Sequence, residues 1–185
     1  MEKLSSQQEY QRRIGKILIS EEQIQAEIKK AGKKISALYD GRPILLVSIL
    51  KGSFVFMADL CRAINAPCEV AFMCAKSYFS GTESTGTVNI VMDLDRDVSK
   101  YHVVIAEDIV DTGRTLKHIY QMLSKRNPIS LTVVTLLDKK ERRVVEFTPD
   151  ISLFDIPDYF VIGYGLDCDE KYRNLPYIAE YNQNV

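Results

Sequence analysis

At 185 residues the chain is long enough for one domain with a sizeable core and short for two. Apolar residues at 46% and charged residues at 26% are the balance of an ordinary globular protein, and no apolar run approaches the ~18 residues that a membrane helix needs. With 24 Lys and Arg against 25 Asp and Glu, the formal net charge of −1 offers no global field to nucleic acid or to an anionic membrane, so an anionic ligand must be held by a local site.

The opening stretch, MEKLSSQQEY, is polar and lacks the basic-then-apolar pattern of a secretory signal. Cys61, Cys68, Cys74 and Cys168 contain no CxxC pair, and His102 and His118 are the only imidazoles, which argues against a structural zinc site and for reduced thiols in a cytoplasmic protein. Ser20 and Gln23 form a capping box, after which Ile24, Ile28, Ala31, Ile35 and Leu38 recur at helical spacing until Asp40, Gly41 and Pro43 stop the pattern. Residues 44–50 (ILLVSIL) read as a strand covered on both faces, 54–65 as a helix and 68–77 as a second strand. Residues 78–86 (YFSGTESTG) are loop-like, and 87–94 alternate like a half-exposed strand. Then come a strand at 102–108, a loop at 109–113, a helix at 115–126, a strand at 130–137 and a last one at 159–164.

This order predicts a single domain, 1–185, of the α/β class: a mainly parallel twisted sheet with helices on both faces. Ligands of such sheets sit outside the carboxyl ends of the strands, which makes 51–53, 108–114, 138–143 and 165–173 the candidate loops. The second is the most informative. In VVIAEDIVDTGRTL (103–116), Thr112, Gly113 and Thr115 bring small or hydroxylated groups and backbone N–H donors to a helix start, where the dipole favours a phosphate. Glu107 and Asp108 would repel bare phosphate, so a sugar phosphate with hydroxyl donors, or a divalent cation between carboxylates and anion, is the better complement. Asp111 stands between the acidic pair and the phosphate nest, placed to move a proton on whatever is attached to that sugar. A Walker A loop would need Gly at 108 and Lys at 114, where Asp108 and Arg114 stand, and GYG at 163–165 lacks the third glycine of a dinucleotide fingerprint. Taken alone, EDIVDTG would also suit an ordinary acidic strand-to-helix cap.

The whole string resembles the phosphoribosyl diphosphate (PRPP) motif of type I phosphoribosyltransferases. Together with LKGS (50–53), SYFSGTESTG (77–86), LLDKK (136–140) and YFVIGYGLD (159–167), it is similar to the bacterial hypoxanthine-guanine branch of that family over about residues 40–180. The resemblance implies a small hood and a mobile lid added to the sheet, with Ser77 and Tyr78 closing over the reaction centre. It implies that Glu107 and Asp108 contact ribose hydroxyls and magnesium, and that Asp111, Thr112, Gly113, Arg114 and Thr115 hold the 5′-phosphate, Asp111 doubling as the general base. Lys51 and Gly52, after a peptide bond that is cis in many members, and Arg173 are implied at the diphosphate. Lys139, Phe160, Val161 and Asp167 are implied around the purine, Asp167 also helping to hold a second magnesium. The expected ligands are Mg2+, PRPP, hypoxanthine and guanine, without nucleic acid or membrane, in a homodimer or homotetramer.

One geometric condition attaches to the acidic pair. Neighbours in a regular strand face opposite ways, so the strand must end near Glu107 if both carboxylates are to serve one ligand. Apart from Lys139, the run KKERR (139–143) reads equally as a solvated charged loop. Two positions depart from the commoner family pattern: Arg114, where Lys also occurs, and Cys168, where an aromatic is frequent and to which no role is given. A xanthine-preferring enzyme and a PRPP-sensing nucleic-acid-binding regulator are the alternative functions.

Overall fold

Residues 6–77 and 88–183 are described by the structure, a computed structural model. The continuous apolar run Ile44–Leu50 forms β2, and its first six residues are buried, as a strand covered on both faces requires. It lies inside a six-stranded sheet with β3 (Cys68–Ser77), β4 (Val88–Met92), β5 (His102–Val110), β6 (Ser130–Asp138) and β7 (Ile151–Asp155), in the order β4-β3-β2-β5-β6-β7. β3, β2, β5, β6 and β7 run parallel, and β4 pairs antiparallel with β3.

Side-chain alternation along the central strands divides the core into two layers. Ile44, Leu46, Val104, Ala106 and Val134 pack against α2 (Glu21–Tyr39) and α3 (Phe54–Ala63). Leu45, Val47, Val103, Ile105 and Val133 pack against Leu116, Ile119 and Leu123 of α4 (Arg114–Ser124). Helices therefore cover both faces, as the element order predicts. The capping box of α2 is formed: Ser20 Oγ accepts from Gln23 N at 3.3 Å, and Gln23 Oε1 accepts from Ser20 N at 2.8 Å. Leu38 is not part of the buried stripe. Tyr39 takes that place, with its hydroxyl donating to Thr132 Oγ1 at 2.8 Å on β6.

Several elements lie outside the expectations from sequence. α1 (Ser6–Arg12) and β1 (Ile14–Ile19) precede α2, and β9 (Ile178–Tyr181) follows the last expected strand. The expected strand at 159–164 shrinks to β8 (Val161–Ile162), which belongs to a separate antiparallel sheet, β1-β9-β8, beside the main one. The reason is local: Gly163, Tyr164 and Gly165 all have positive φ, which ends any ladder after Ile162. This small sheet corresponds to the expected hood. Tyr78 and residues 79–86 of the expected lid lie outside the described residues, and Ser77 ends β3 opposite Val88. Among the described residues, no helix is long and apolar enough to cross a membrane.

α2 and α3 meet at backbone distance. A Cβ on Gly32 would lie 2.4 Å from Ala63 O, so the helices approach as closely as they do only because position 32 carries no side chain. Gly32→Ala should therefore destabilise the fold, by about 1–3 kcal/mol in urea unfolding, because the overpacking must be relieved by shifting helix against helix. A variant as stable as the parent would show that this contact yields freely.

Candidate active site

Three chain segments leave the carboxyl ends of β2, β5 and β6 and converge with the loop that follows β8. At β2, the Leu50–Lys51 peptide is cis, and Gly52 lies so close to β5 that a Cβ there would stand 1.6 Å from Asp108 Oδ2. On its other side, a Cβ on Gly165 (φ +98) would lie 2.1 Å from Gly52 O. Two glycines thus let three segments stack with nothing between them, which fixes Asp108 against the loop that carries Lys51.

The acidic pair behaves as buried carboxylates do. Glu107 is buried, and its Oε2 has no hydrogen-bond partner. Burial, reinforced by the neighbouring Asp108 charge, holds its pKa well above the ordinary carboxyl value. Burial also pushes Asp108 up to about 6; the Ile109 N–H, which donates to Oδ1 at 2.9 Å, and the Arg173 charge oppose the rise, and Asp167 adds to it. The expectation that the strand ends near Glu107 is not met. β5 continues to Val110 in register with β6, because Ile109 and Val110 pair with Leu137 and Asp138. Pairing with β2, however, stops at Ala106, so β5 has an open edge at both carboxylates, and the Asp108 charge acts on Glu107; Glu107 opens onto a cavity, and Asp108 touches the Gly52 loop.

That cavity, about 510 Å3, is lined by Glu107, Asp111, Thr112, Gly113, Thr115 and Arg142 among others. Gly113 caps α4 in the left-handed region (φ 81), and Thr112 Oγ1 accepts from Arg114 N at 3.5 Å. The first turn of a helix presents N–H donors and the positive end of its dipole, here at the floor of a cavity walled by an acid. The proposed phosphate residues are thus brought together, and the helix starts one residue earlier than expected, at Arg114.

A chain of charges links this cavity to the next loop. Arg142 bridges Asp111 Oδ1 (Nε, 3.0 Å) and Asp158 Oδ2 (Nη1, 3.1 Å), and Asp158 Oδ1 meets Lys139 Nζ at 3.3 Å. Arg143 donates to the Asp111 carbonyl at 2.6 Å and pairs with the buried Asp138. The run 139–143 is solvated only in part: Lys140, Glu141 and Arg142 are exposed and Lys139 is buried, and both arginines also bind the segment of Asp111. Sequence reasoning missed Arg142, Arg143, Asp138 and Asp158; the signal available was the excess of cations directly after a buried strand. Beside Asp158, Phe160 is 46% exposed, its ring centroid 5.6 Å from that of Tyr181, on the wall of a second cavity of about 420 Å3. Val161, next in the chain, is buried and pairs with Glu180.

The last corner holds Asp167 and Arg173. Arg173 Nη2 lies 2.9 Å from Asp167 Oδ1, Nη1 donates to Gly165 O at 2.8 Å, and Nε is buried without a partner. Lys51 Nζ and Arg173 Nη2 each approach Glu170, both at 3.1 Å. Two cations from segments far apart in sequence thus face one point. Among the described residues no cluster of three or more His, Cys, Asp or Glu side chains is arranged to hold a metal ion. Cys168 is half-buried, as are Cys61, Cys68 and Cys74.

The chain is similar to known proteins over most of its length. The profile of the Phosphoribosyl transferase domain family matches residues 17–169. The hypoxanthine-guanine phosphoribosyltransferase of Streptococcus pneumoniae is 46% identical over 172 residues, covering 93% of this chain and 96% of its own. Among solved structures, a hypoxanthine phosphoribosyltransferase from Staphylococcus aureus superposes with a TM-score of 0.90 at 43% identity, covering 96% of this chain and 97% of that one. One from Trypanosoma cruzi in complex with the product IMP gives 0.87 at 45% identity, covering 94% and 97%.

The raised pKa of Asp108 has a sign that can be tested. An acid whose folded pKa exceeds its unfolded value of 3.8 costs nothing below about pH 4 and costs stability as pH rises through about 6. In the ligand-free protein, Asp108→Asn should therefore be more stable than the parent at pH 7 by on the order of 1–3 kcal/mol. The gain should vanish near pH 4 in parallel urea titrations; a pH-independent difference would assign the effect to packing.

Proposed function

The chain belongs to the phosphoribosyl transferase family, and we propose from that premise that it transfers the 5-phosphoribosyl group of PRPP to hypoxanthine or guanine, giving IMP or GMP and diphosphate. The observation that carries this reading is the rim itself. One edge of the sheet gathers a helix start suited to a 5′-phosphate, an acidic pair suited to ribose hydroxyls, a cation pair suited to diphosphate, and a buried lysine beside an exposed aromatic suited to an oxopurine.

The donor set suits magnesium. Glu107 and Asp108 are hard oxygen donors held ready in a buried place, one of them with an unsatisfied oxygen, and Asp167 lies near Asp108. Among the described residues no three carboxylates converge to encage an ion, and magnesium dehydrates reluctantly, so substrate oxygens and water would complete its shell. Glu107, Asp108 and Asp167 are the residues we assign to it; when bound with the diphosphate, magnesium neutralises the charge that grows on the leaving group.

The protein's own groups then divide the work. Thr112, Gly113, Arg114 and Thr115 anchor the 5′-phosphate, and Glu107 and Asp108 accept from the ribose hydroxyls, so that C1 is presented in one orientation. Lys51, the Gly52 backbone and Arg173 take the diphosphate, where a planar guanidinium suits phosphate oxygens. Phe160 offers a ring face for stacking, and the backbone of Val161 borders the base. Lys139, held by Asp158, points a cation at O6; an adenine amino group there would set donor against donor, so adenine is rejected. Asp111 manages the proton on N7 as N9 attacks C1, and its tie to Arg142 positions the carboxylate on the wall of the cavity. We read the assembly as a homodimer or homotetramer and the whole chain as one domain, on the family likeness.

Asp111→Asn should lower turnover on the order of 10²-fold while leaving the dissociation constant for PRPP near that of the parent. Unchanged turnover would remove the general-base role. In parallel assays of diphosphate release, hypoxanthine and guanine should be rapid substrates and adenine inert. Xanthine as the fastest base would overturn the assigned substrate range.

A further inference from the structure

The two cations assigned to diphosphate already share an anion. Glu170 Oε1 stands 3.1 Å from Lys51 Nζ, 119 positions away in the chain, and its Oε2 stands 3.1 Å from Nη2 of the nearby Arg173, so one carboxylate spans both cations. Its placement is imposed by the backbone. The Glu170 N–H donates to Asp167 Oδ2 at 2.9 Å, and Asp169, Glu170 and Tyr172 all adopt positive φ (54, 63 and 75), a conformation unfavourable for residues with a Cβ. This turn sets the Glu170 side chain beside both cations while leaving it 64% exposed.

We propose that Glu170 is a resident stand-in for the diphosphate of PRPP: when that subsite is empty it occupies Lys51 and, alongside Asp167, Arg173, and it competes with the incoming diphosphate for them. The proposal rests on the assignment of Lys51 and Arg173 to diphosphate. The balance of strengths favours exchange. The Lys51–Glu170 pair has side chains 62% and 64% exposed, and such pairs are weak and easily broken. A diphosphate brings several charged oxygens and a bidentate match to the guanidinium, so it displaces the carboxylate. The exchange also helps product leave, because a carboxylate waits to re-form the pair. Glu170 is thus a positioning residue that sets donor affinity and diphosphate release, acting through Lys51 and Arg173.

The test is isothermal calorimetry of inorganic diphosphate with magnesium, together with steady-state kinetics, on the whole enzyme carrying Glu170→Gln, Glu170→Asp or Lys51→Ala. Removing the competing charge in Glu170→Gln should tighten diphosphate binding about threefold to tenfold, the range expected for loss of one exposed ion-pair competitor, and lower KM for PRPP with no rise in kcat. Glu170→Asp, which keeps the charge on a shorter arm, should fall between Gln and the parent. Unchanged or weaker diphosphate binding in Glu170→Gln would overturn the proposal. Lys51→Ala separates the two layers of the argument: if it weakens diphosphate binding while Glu170→Gln does nothing, the stand-in role alone falls. If Lys51→Ala leaves binding untouched, the assignment of the cations falls and the stand-in role with it.

Discussion

The arrangement depends on two carboxylates held at the end of the central strand, in a place where carboxylates are costly. Glu107 and Asp108 both have raised pKa values because burial disfavours their charge, and Glu107 Oε2 has no partner. The strand that carries them is secured by parallel neighbours on both sides and by apolar layers on both faces, so the local cost is carried by the core as a whole. A ligand bearing hydroxyl donors or a divalent cation removes that cost, so the stability lost in building the site returns as binding.

Around this acidic centre, position is set by backbone contact more than by side-chain choice. Gly52 touches Asp108, and Gly165 touches Gly52, so the loops after β2 and β8 cannot move independently of β5. The loops that carry Lys51 and Arg173 and the acidic pair are consequently placed relative to one another by main chain, which is stiffer than any rotamer.

The opposite side of the site is organised by charge. Asp138, Arg143 and the Asp111 carbonyl form its buried part, and Asp111, Arg142, Asp158 and Lys139 its more exposed part. Single exposed pairs contribute little to stability. Here their consequence is geometric: the loop that carries the proposed base is tied to the loop of Asp158 proposed to face the purine, and a shift of one moves the other. The small sheet completes this wall by bringing Tyr181 of β9 against Phe160.

The α/β architecture, the parallel core and the helix start after Gly113 were legible from local pattern, because a doubly covered strand and a capped amphipathic helix write their burial into consecutive residues. The motif residues of the rim were legible by resemblance. The hood was implied by the resemblance, but its strands were not legible from local pattern: β8 is two residues long and β1 and β9 only six and four, and their pairing joins segments far apart in the chain, which no local window records. Nor was the conversion of KKERR into a clamp, since whether a cation is solvated or paired depends on acids such as Asp158 and Asp111 that only folding brings near. The sequence by itself determined which chemical groups the chain carries and the faces of its main helices and strands. Tertiary structure alone decided which charges share a site, because short strands, ion pairs and glycine contacts acquire their meaning from the neighbour across the fold.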